Sequence, residues 1–150
     1  MKVSLFCLGI VLLFSCKSNP APTQEKQAEK SQGHLTQDDI LSLSRDADFV
    51  DIIFYQMDIS VSQNDPASVL QTTQFLTLNG KPSGMNCPAI GRLTYLSKGK
   101  IIREADIHFQ GTACAYFTII ENKNPVGTCT ISPDGLKFFD SMISSYQPPK

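Results

Sequence analysis

Residue types that can perform nucleophilic catalysis lie close together in the second half of the chain. Asp106, His108 and Cys114 supply a carboxylate, an imidazole and a thiol, and Glu104 lies two residues before Asp106. A thiol beside an imidazole is typical of a cysteine nucleophile, because the imidazole accepts the thiol proton and a third group orients the ring. The pattern therefore indicates a candidate thiol-dependent hydrolase that uses Cys114, His108 and Asp106.

The spacing of these residues argues against that chemistry. Two residues apart on one strand, Asp106 and His108 lie about 7 Å from each other, so the carboxylate orients the ring poorly. The sequence nearby also lacks the cluster of glycines that would indicate an oxyanion hole. The alternative, which we favour, is that Glu104, Asp106 and His108 form the solvated face of an amphipathic strand. The same three residues follow no recurring metal-ligand motif, and we predict neither a metal nor a cofactor.

The elements that position these residues follow an alternating pattern that begins at Pro88. Four alternating segments predict a four-stranded antiparallel meander, with turns at 98–100, 110–112 and 122–125. Three-residue loops containing glycine at the first two turns place His108 opposite Cys114 and Asp106 opposite Tyr116. The same register gives one buried row, Leu93, Ala105 and Phe117.

The other face of this sheet is more apolar than a fully solvated face should be. It carries Ile90, Leu96, Ile102, Tyr116, Ile120 and Ile131. Either the N-terminal helices cover both faces of the sheet, or this face binds a partner. Coverage by helices is the commoner arrangement and is the one we expect.

The cysteines of the second half of the chain indicate one disulfide. Cys87 and Cys114 fall at the same end of the predicted sheet, so we predict a bridge between them, with no bridge as the open alternative. Cys129 pairs near Thr118, too far along the sheet to reach Cys114. We interpret Cys129 as a small buried apolar residue.

Helices flank the predicted sheet on both sides in the sequence. Thr36 and Asp39 form a capping box for a first helix. Residues 49–57 have helical spacing, although a strand through Asp51–Ser62 is the alternative. A third helix is predicted from about 66 to 77, and a last one after Ser132. Helices separated from an antiparallel sheet predict an α+β domain over 35–147.

The first residues have the pattern of an export signal. Lys2 is followed by an apolar run too short for a comfortable transmembrane helix, which needs about 20 residues. The run ends in Leu13-Phe14-Ser15-Cys16, which resembles the lipobox of bacterial lipoproteins. That resemblance implies a signal peptide over 1–15 and lipidation of Cys16 by fatty acyl groups such as palmitate. Several acyl chains make a stable membrane anchor.

Residues 16–34 contain no large apolar residue and predict a disordered tether, in which His34 is a solvated residue. The formal net charge of −1 and the lack of a Lys/Arg block give no reason to expect a nucleic-acid partner. The chain loosely resembles small uncharacterised envelope lipoproteins of the Bacteroidota, which implies a location and no activity. We therefore expect a non-enzymatic binding or structural domain in the bacterial cell envelope, anchored at the outer membrane. A protein or small ligand is its expected partner.

Overall fold

Helices and strands alternate in blocks along residues 35–146, the part of the chain that the computed structural model describes. In chain order the elements are α1 (Gln37–Asp46), β1 (Phe49–Phe54), β2 (Ser60–Gln63), α2 (Pro66–Thr73), β3 (Ala89–Ser97), β4 (Lys100–Phe109), β5 (Ala115–Glu121), β6 (Asn124–Thr130) and α3 (Pro133–Ser145). The predicted α+β class is confirmed. The predicted signal peptide over 1–15 and tether over 16–34, with Cys16 and His34, lie outside the described residues, as does residue 147.

The strands form one six-stranded antiparallel sheet in the order β2-β1-β3-β4-β5-β6. The predicted meander is present as β3–β6, but the prediction of four strands is wrong. Residues 49–63 form a hairpin rather than a helix, so the strand alternative for this stretch was the right one. Val50, Ile52 and Phe54 alternate into the core and pair with β3. Their β-prone side chains gain more from this pairing than from a helical face.

Each helix begins at a residue whose side chain caps it. Thr36 and Asp39 form the predicted capping box of α1. Asp65 caps α2 and Ser132 caps α3, each followed by proline at the first helical position. The helix α2 ends at Thr73, earlier than predicted, and the chain then turns so that the next two apolar side chains enter the core, Phe75 and Leu76.

The helices contribute buried side chains to a single core on one face of the sheet. Phe139 of α3 is fully buried at its centre. Its ring contacts those of Phe54, Phe75, Phe109 and Phe117. Within residues 35–146 no helix combines the length and apolarity that a membrane span requires.

The register of the sheet differs from the prediction between β4 and β5. Leu93 pairs with Ala105, as predicted, but Ala105 pairs with Ile119 and not with Phe117. The turn is two residues longer than expected, because Cys114 belongs to it and its carbonyl accepts a hydrogen bond from the Gln110 amide at 2.7 Å. A shift of two residues leaves the paired residues of β4 and β5 on their predicted faces.

The two edges of the sheet differ. The segment 76–81 runs along β6, where Leu76 bridges to Ile131 and the Thr130 amide donates to the Asn79 carbonyl at 2.7 Å. On the other edge, β2 pairs with β1 alone among the described strands. Strand β2 is four residues long, and short edge strands limit pairing with other chains.

Candidate functional site

The imidazole of His108 is held in place on both of its nitrogens. Nδ1 lies 2.6 Å from the carbonyl oxygen of Cys87, and Nε2 lies 3.0 Å from the hydroxyl of Thr118. Because a carbonyl only accepts, Nδ1 carries the proton and donates it. In the neutral ring, Nε2 then accepts from Thr118. A ring engaged in this way is a structural element rather than a free general base.

The residue opposite His108 is Tyr116, not Cys114 as predicted, and Asp106 lies opposite Thr118 rather than Tyr116. This correction follows from the longer turn before β5. The tyrosine is buried, and its hydroxyl lies 3.5 Å from the Cys87 carbonyl. The β4–β5 pair therefore presents an imidazole–phenol stack where the sequence indicated an imidazole–thiol pair.

Cys87 and Cys114 form the predicted disulfide, with their Cα atoms 6.4 Å apart. The bridge joins the loop before β3 to the turn before β5. With Tyr116 and Met85 it makes a small second core on the sheet face away from the helices. Lys81 adds its ammonium group 4.8 Å from the centre of the Tyr116 ring.

The loop 81–88 therefore covers one end of the outer sheet face. We expected N-terminal helices to cover that face, and this is wrong for the described residues, because the buried side chains of the helices belong to the core on the other face. The covering element is a disulfide-anchored loop, whose lack of periodicity gave no signal in the sequence. It explains the burial of Tyr116, one of the six apolar residues assigned to this face. The assignment of Ile131 to this face is wrong, because Ile131 is buried in the main core on the other side of the sheet.

Asp106 points away from the predicted catalytic group, towards β3 and β1. Its carboxylate lies 2.8 Å from the Arg92 guanidinium and accepts a hydrogen bond from the Tyr55 hydroxyl at 3.1 Å. Glu104 lies 3.4 Å from the same guanidinium. The Asp106 carboxylate raises the pKa of Arg92, which therefore stays charged. Arg92 and Tyr55 were not predicted as site residues, although Arg92 occupies the outward position directly opposite Asp106.

The thiol that a cysteine hydrolase requires is missing from the outer face of the described domain. Cys114 is oxidised, and Cys129 is the free cysteine within residues 35–146. Cys129 is 1% exposed and lies in the main core, as predicted for a small buried apolar residue. Burial raises the pKa of its thiol to about 12, so the thiolate is scarce at neutral pH. The predicted group Cys114, His108 and Asp106 is thus not brought together.

A shallow groove of about 380 Å³ lies at the opposite end of the sheet from the disulfide. It is lined by residues of β4, β5 and the β5–β6 turn: Ile101, Ile102, Arg103, Glu104, Ile120, Glu121, Asn122 and Lys123. Ile101 is 59% exposed and Ile102 38%. Ile102 and Ile120 were predicted on the outer face, but the groove was not predicted, because it arises from two neighbouring turns.

No group of three His, Cys, Asp or Glu side chains within residues 35–146 is arranged to hold a metal ion. The chain matches no protein-family model, no curated protein and no solved structure. The described surface therefore offers three features for a function: the disulfide-anchored loop, the Arg92 ion-pair cluster and the groove beside the turns.

Proposed function

We propose that this protein is an exported bacterial lipoprotein whose α+β domain is a non-catalytic binding domain, held at the cell envelope, at the outer membrane, by lipid on Cys16. The observation that carries the proposal is the apolar run that ends in Leu13-Phe14-Ser15-Cys16. In such a segment the apolar length directs export, and a small residue before the cysteine admits the peptidase.

The cysteine chemistry of the domain supports export. Disulfides persist in oxidising compartments and are rare in the reducing cytosol. The Cys87–Cys114 bridge joins segments 27 residues apart and fixes a loop that has no helix or strand of its own. A protein that depends on this bridge is suited to the envelope.

The geometry of the outer face supports binding rather than catalysis. Cys114 has no free thiol, and the Nδ1 proton of His108 is committed to the Cys87 carbonyl. Exposed apolar side chains remain on this side of the sheet, among them Ile53 at 49% and Tyr55 at 52%. Such side chains beside charged groups are typical of surfaces that bind other molecules.

The decisive experiment labels the protein in its bacterial host with an alkyne fatty acid. The full-length chain should incorporate the label and fractionate with membranes, whereas Cys16→Ser should lose both properties. Cys7→Ser is the matched control, since Cys7 lies within the predicted signal peptide and its loss should leave labelling unchanged. Label that persists in Cys16→Ser would refute the anchor at this position.

A further inference from the structure

Two hairpin turns at the same end of the sheet share one design. The β3–β4 hairpin turns through Lys98 and Gly99, with φ of 51° and 75°, and the β5–β6 hairpin through Asn122 and Lys123, with φ of 51° and 66°. Positive φ at both central residues defines a type I′ turn, for which Asn-Gly is the preferred pair. Each turn places a lysine at one of these positions.

A lysine in the left-handed region is less stable than glycine or asparagine there. Lys98 and Lys123 therefore place a charged side chain at the tip of each hairpin, at a cost in backbone conformational energy. Strained backbone positions of this kind are concentrated at functional sites. Lys100 adds a third exposed ammonium group beside the first turn.

Each of the two hairpins also bulges directly after its turn. The register shifts between Tyr95 and Leu96 on one hairpin, and between Ile119 and Ile120 on the other. The extra residues in the partner strands are Ile102 and Val126, which are 38% and 40% exposed. The end of the sheet thus presents branched apolar side chains beside its lysines, and the groove lies between the two turns.

The lysines of this end are free to meet an external anion. None of Lys98, Lys100 and Lys123 forms an ion pair among the described residues. The acidic residues nearby are largely engaged. Glu121 and Glu104, which line the groove, pair with Arg103 at 2.6 Å and with Arg92 at 3.4 Å. Asp46 pairs with Arg45 at 2.8 Å, whereas Asp48 accepts a hydrogen bond from the Lys98 amide at 2.7 Å and keeps its charge.

The chain also enters the domain at this end. Asp39, in the first turn of α1, lies 3.5 Å from Arg103, three residues beyond Lys100. The residue Asp48, just after α1, donates its amide to Leu96 at 2.9 Å. Helix α1 therefore crosses the end of the sheet that carries the lysine turns, and Leu35 lies just before it. The tether predicted from the sequence over 16–34 connects Cys16 to this point.

We propose that this turn end, comprising Lys98, Lys100, Ile101, Ile102, Lys123 and Val126, rests on the anionic surface of the membrane that holds the lipid anchor. Lysines attract the phospholipid headgroups, and the exposed apolar side chains enter the boundary between headgroups and acyl chains. The proposal depends on the lipid anchor of the proposed function, which keeps the domain close to the bilayer. The outer sheet face and the disulfide-anchored loop then extend away from the membrane.

The test uses the full-length lipidated protein in anionic phospholipid vesicles that carry spin-labelled headgroups. A fluorophore attached at Ile101→Cys should be quenched several-fold more than one attached at Thr112→Cys, an exposed position in the turn at the other end of the sheet. Cys129 is buried and should not take up the label in the native protein. Equal quenching at the two positions would overturn the proposal.

Charge variants give a second readout. Each lysine near an anionic surface contributes roughly fivefold to binding, so the triple change Lys98→Gln, Lys100→Gln and Lys123→Gln should reduce the quenching, as should high salt. Lys137→Gln on α3 is the matched control and should change nothing. Quenching that is unchanged both in the triple lysine variant and at high salt would also overturn the proposal.

The mass of the N-terminal peptide from the same sample separates the two proposals. A lipidated Cys16 with no preferential quenching at position 101 refutes the turn-end contact and leaves the lipoprotein assignment standing. An unlipidated Cys16 refutes the proposed function. In that case vesicles added to the protein still decide the turn-end contact by the difference between positions 101 and 112.

Discussion

The rings of His108 and Tyr116 lie almost parallel, 8° apart, with their centroids separated by 4.2 Å. This stack lies beneath the disulfide-anchored loop, and both rings reach the carbonyl oxygen of Cys87. The histidine therefore connects the sheet to the loop. Replacing it should lower the stability of the domain rather than remove a catalytic group.

Replacing His108 tests this assignment. His108→Ala removes a hydrogen bond to a backbone carbonyl and a stacked ring, and should lower the free energy of unfolding by about 1–3 kcal/mol. Urea denaturation measures the change. Glu104→Gln, on the same face of β4 and partly exposed, is the matched control and should cost less than about 1 kcal/mol. Equal effects of the two changes would contradict a structural role for the ring.

The reactivity of the cysteines should follow the state of each thiol. In the native, non-reduced protein a maleimide should modify none of Cys87, Cys114 and Cys129, because two are bridged and the third is buried. Denaturant alone should expose Cys129, and denaturant with reductant should expose the other two. Peptide mass spectrometry gives the count, and rapid native modification of Cys114 would revive the thiol-hydrolase hypothesis.

Removing the disulfide should destabilise the domain through the unfolded chain. The bridge closes a loop over a separation of 27 residues, for which the loop-entropy relation gives about 3–4 kcal/mol. The paired change Cys87→Ala and Cys114→Ala should show this loss in urea denaturation, and reductant should then have no further effect on the variant. An unchanged midpoint of urea denaturation would mean that His108 and Tyr116 hold the loop without the disulfide.

The buried thiol of Cys129 should make the domain sensitive to alkali. Its pKa is raised to about 12 in the folded state by burial, and the unfolded thiol ionises near its ordinary value of about 8.5. Between these two pKa values the folded protein therefore holds up to one more proton than the unfolded protein. Stability is fully present below the unfolded pKa and falls as pH rises towards 12, by up to about 1.4 kcal/mol per pH unit. Cys129→Ala should reduce the slope of stability against pH between about 9 and 11, as measured by urea midpoints.

Gly91 should not accept a side chain. A Cβ atom at this position of β3 would lie 2.5 Å from the carbonyl oxygen of Ile53 in the neighbouring strand. Since both groups belong to paired backbone, Gly91→Ala should cost about 2–3 kcal/mol or more. Gly84→Ala is the useful comparison, because it has open space around it and only a positive φ of 79°, so its cost should be near 1 kcal/mol. Thermal unfolding of both variants measures the difference.

Local chemistry made much of this fold predictable. Helix starts are short-range signals, and the capping box at Thr36 and the helix starts near 66 and after Ser132 were predicted correctly. The alternation after Pro88 identified the strands β3–β6 and the sheet face of most residues in them, including His108. Ile131, which was predicted on the outer face, lies in the main core instead, beyond the bulge of the β5–β6 hairpin. Side chains alternate between the two faces with a period of two, so a register error of two residues does not change their face. The face of His108 was therefore predicted correctly, although its partner was not.

The errors came from interactions between distant parts of the chain. Residues 49–57 have the spacing of a helix, and only the pairing of β1 with β3 selects the strand. The turn before β5 contains Cys114, which is bound to Cys87 at a separation of 27 residues. The cluster of Arg92 with Asp106 and Tyr55 brings three segments of the chain together, and the groove requires two strands and their turns. No single segment encodes either arrangement.

The unequal edges of the sheet restrict how a further strand can join it. Along β6 the segment 76–81 already occupies the position of the next strand, through Leu76 and Asn79. An extended peptide can therefore extend the described sheet at β2 alone, beside Ser60–Gln63. With four residues available, such a peptide would gain few backbone hydrogen bonds, so any affinity and any choice of partner would have to come from its side chains.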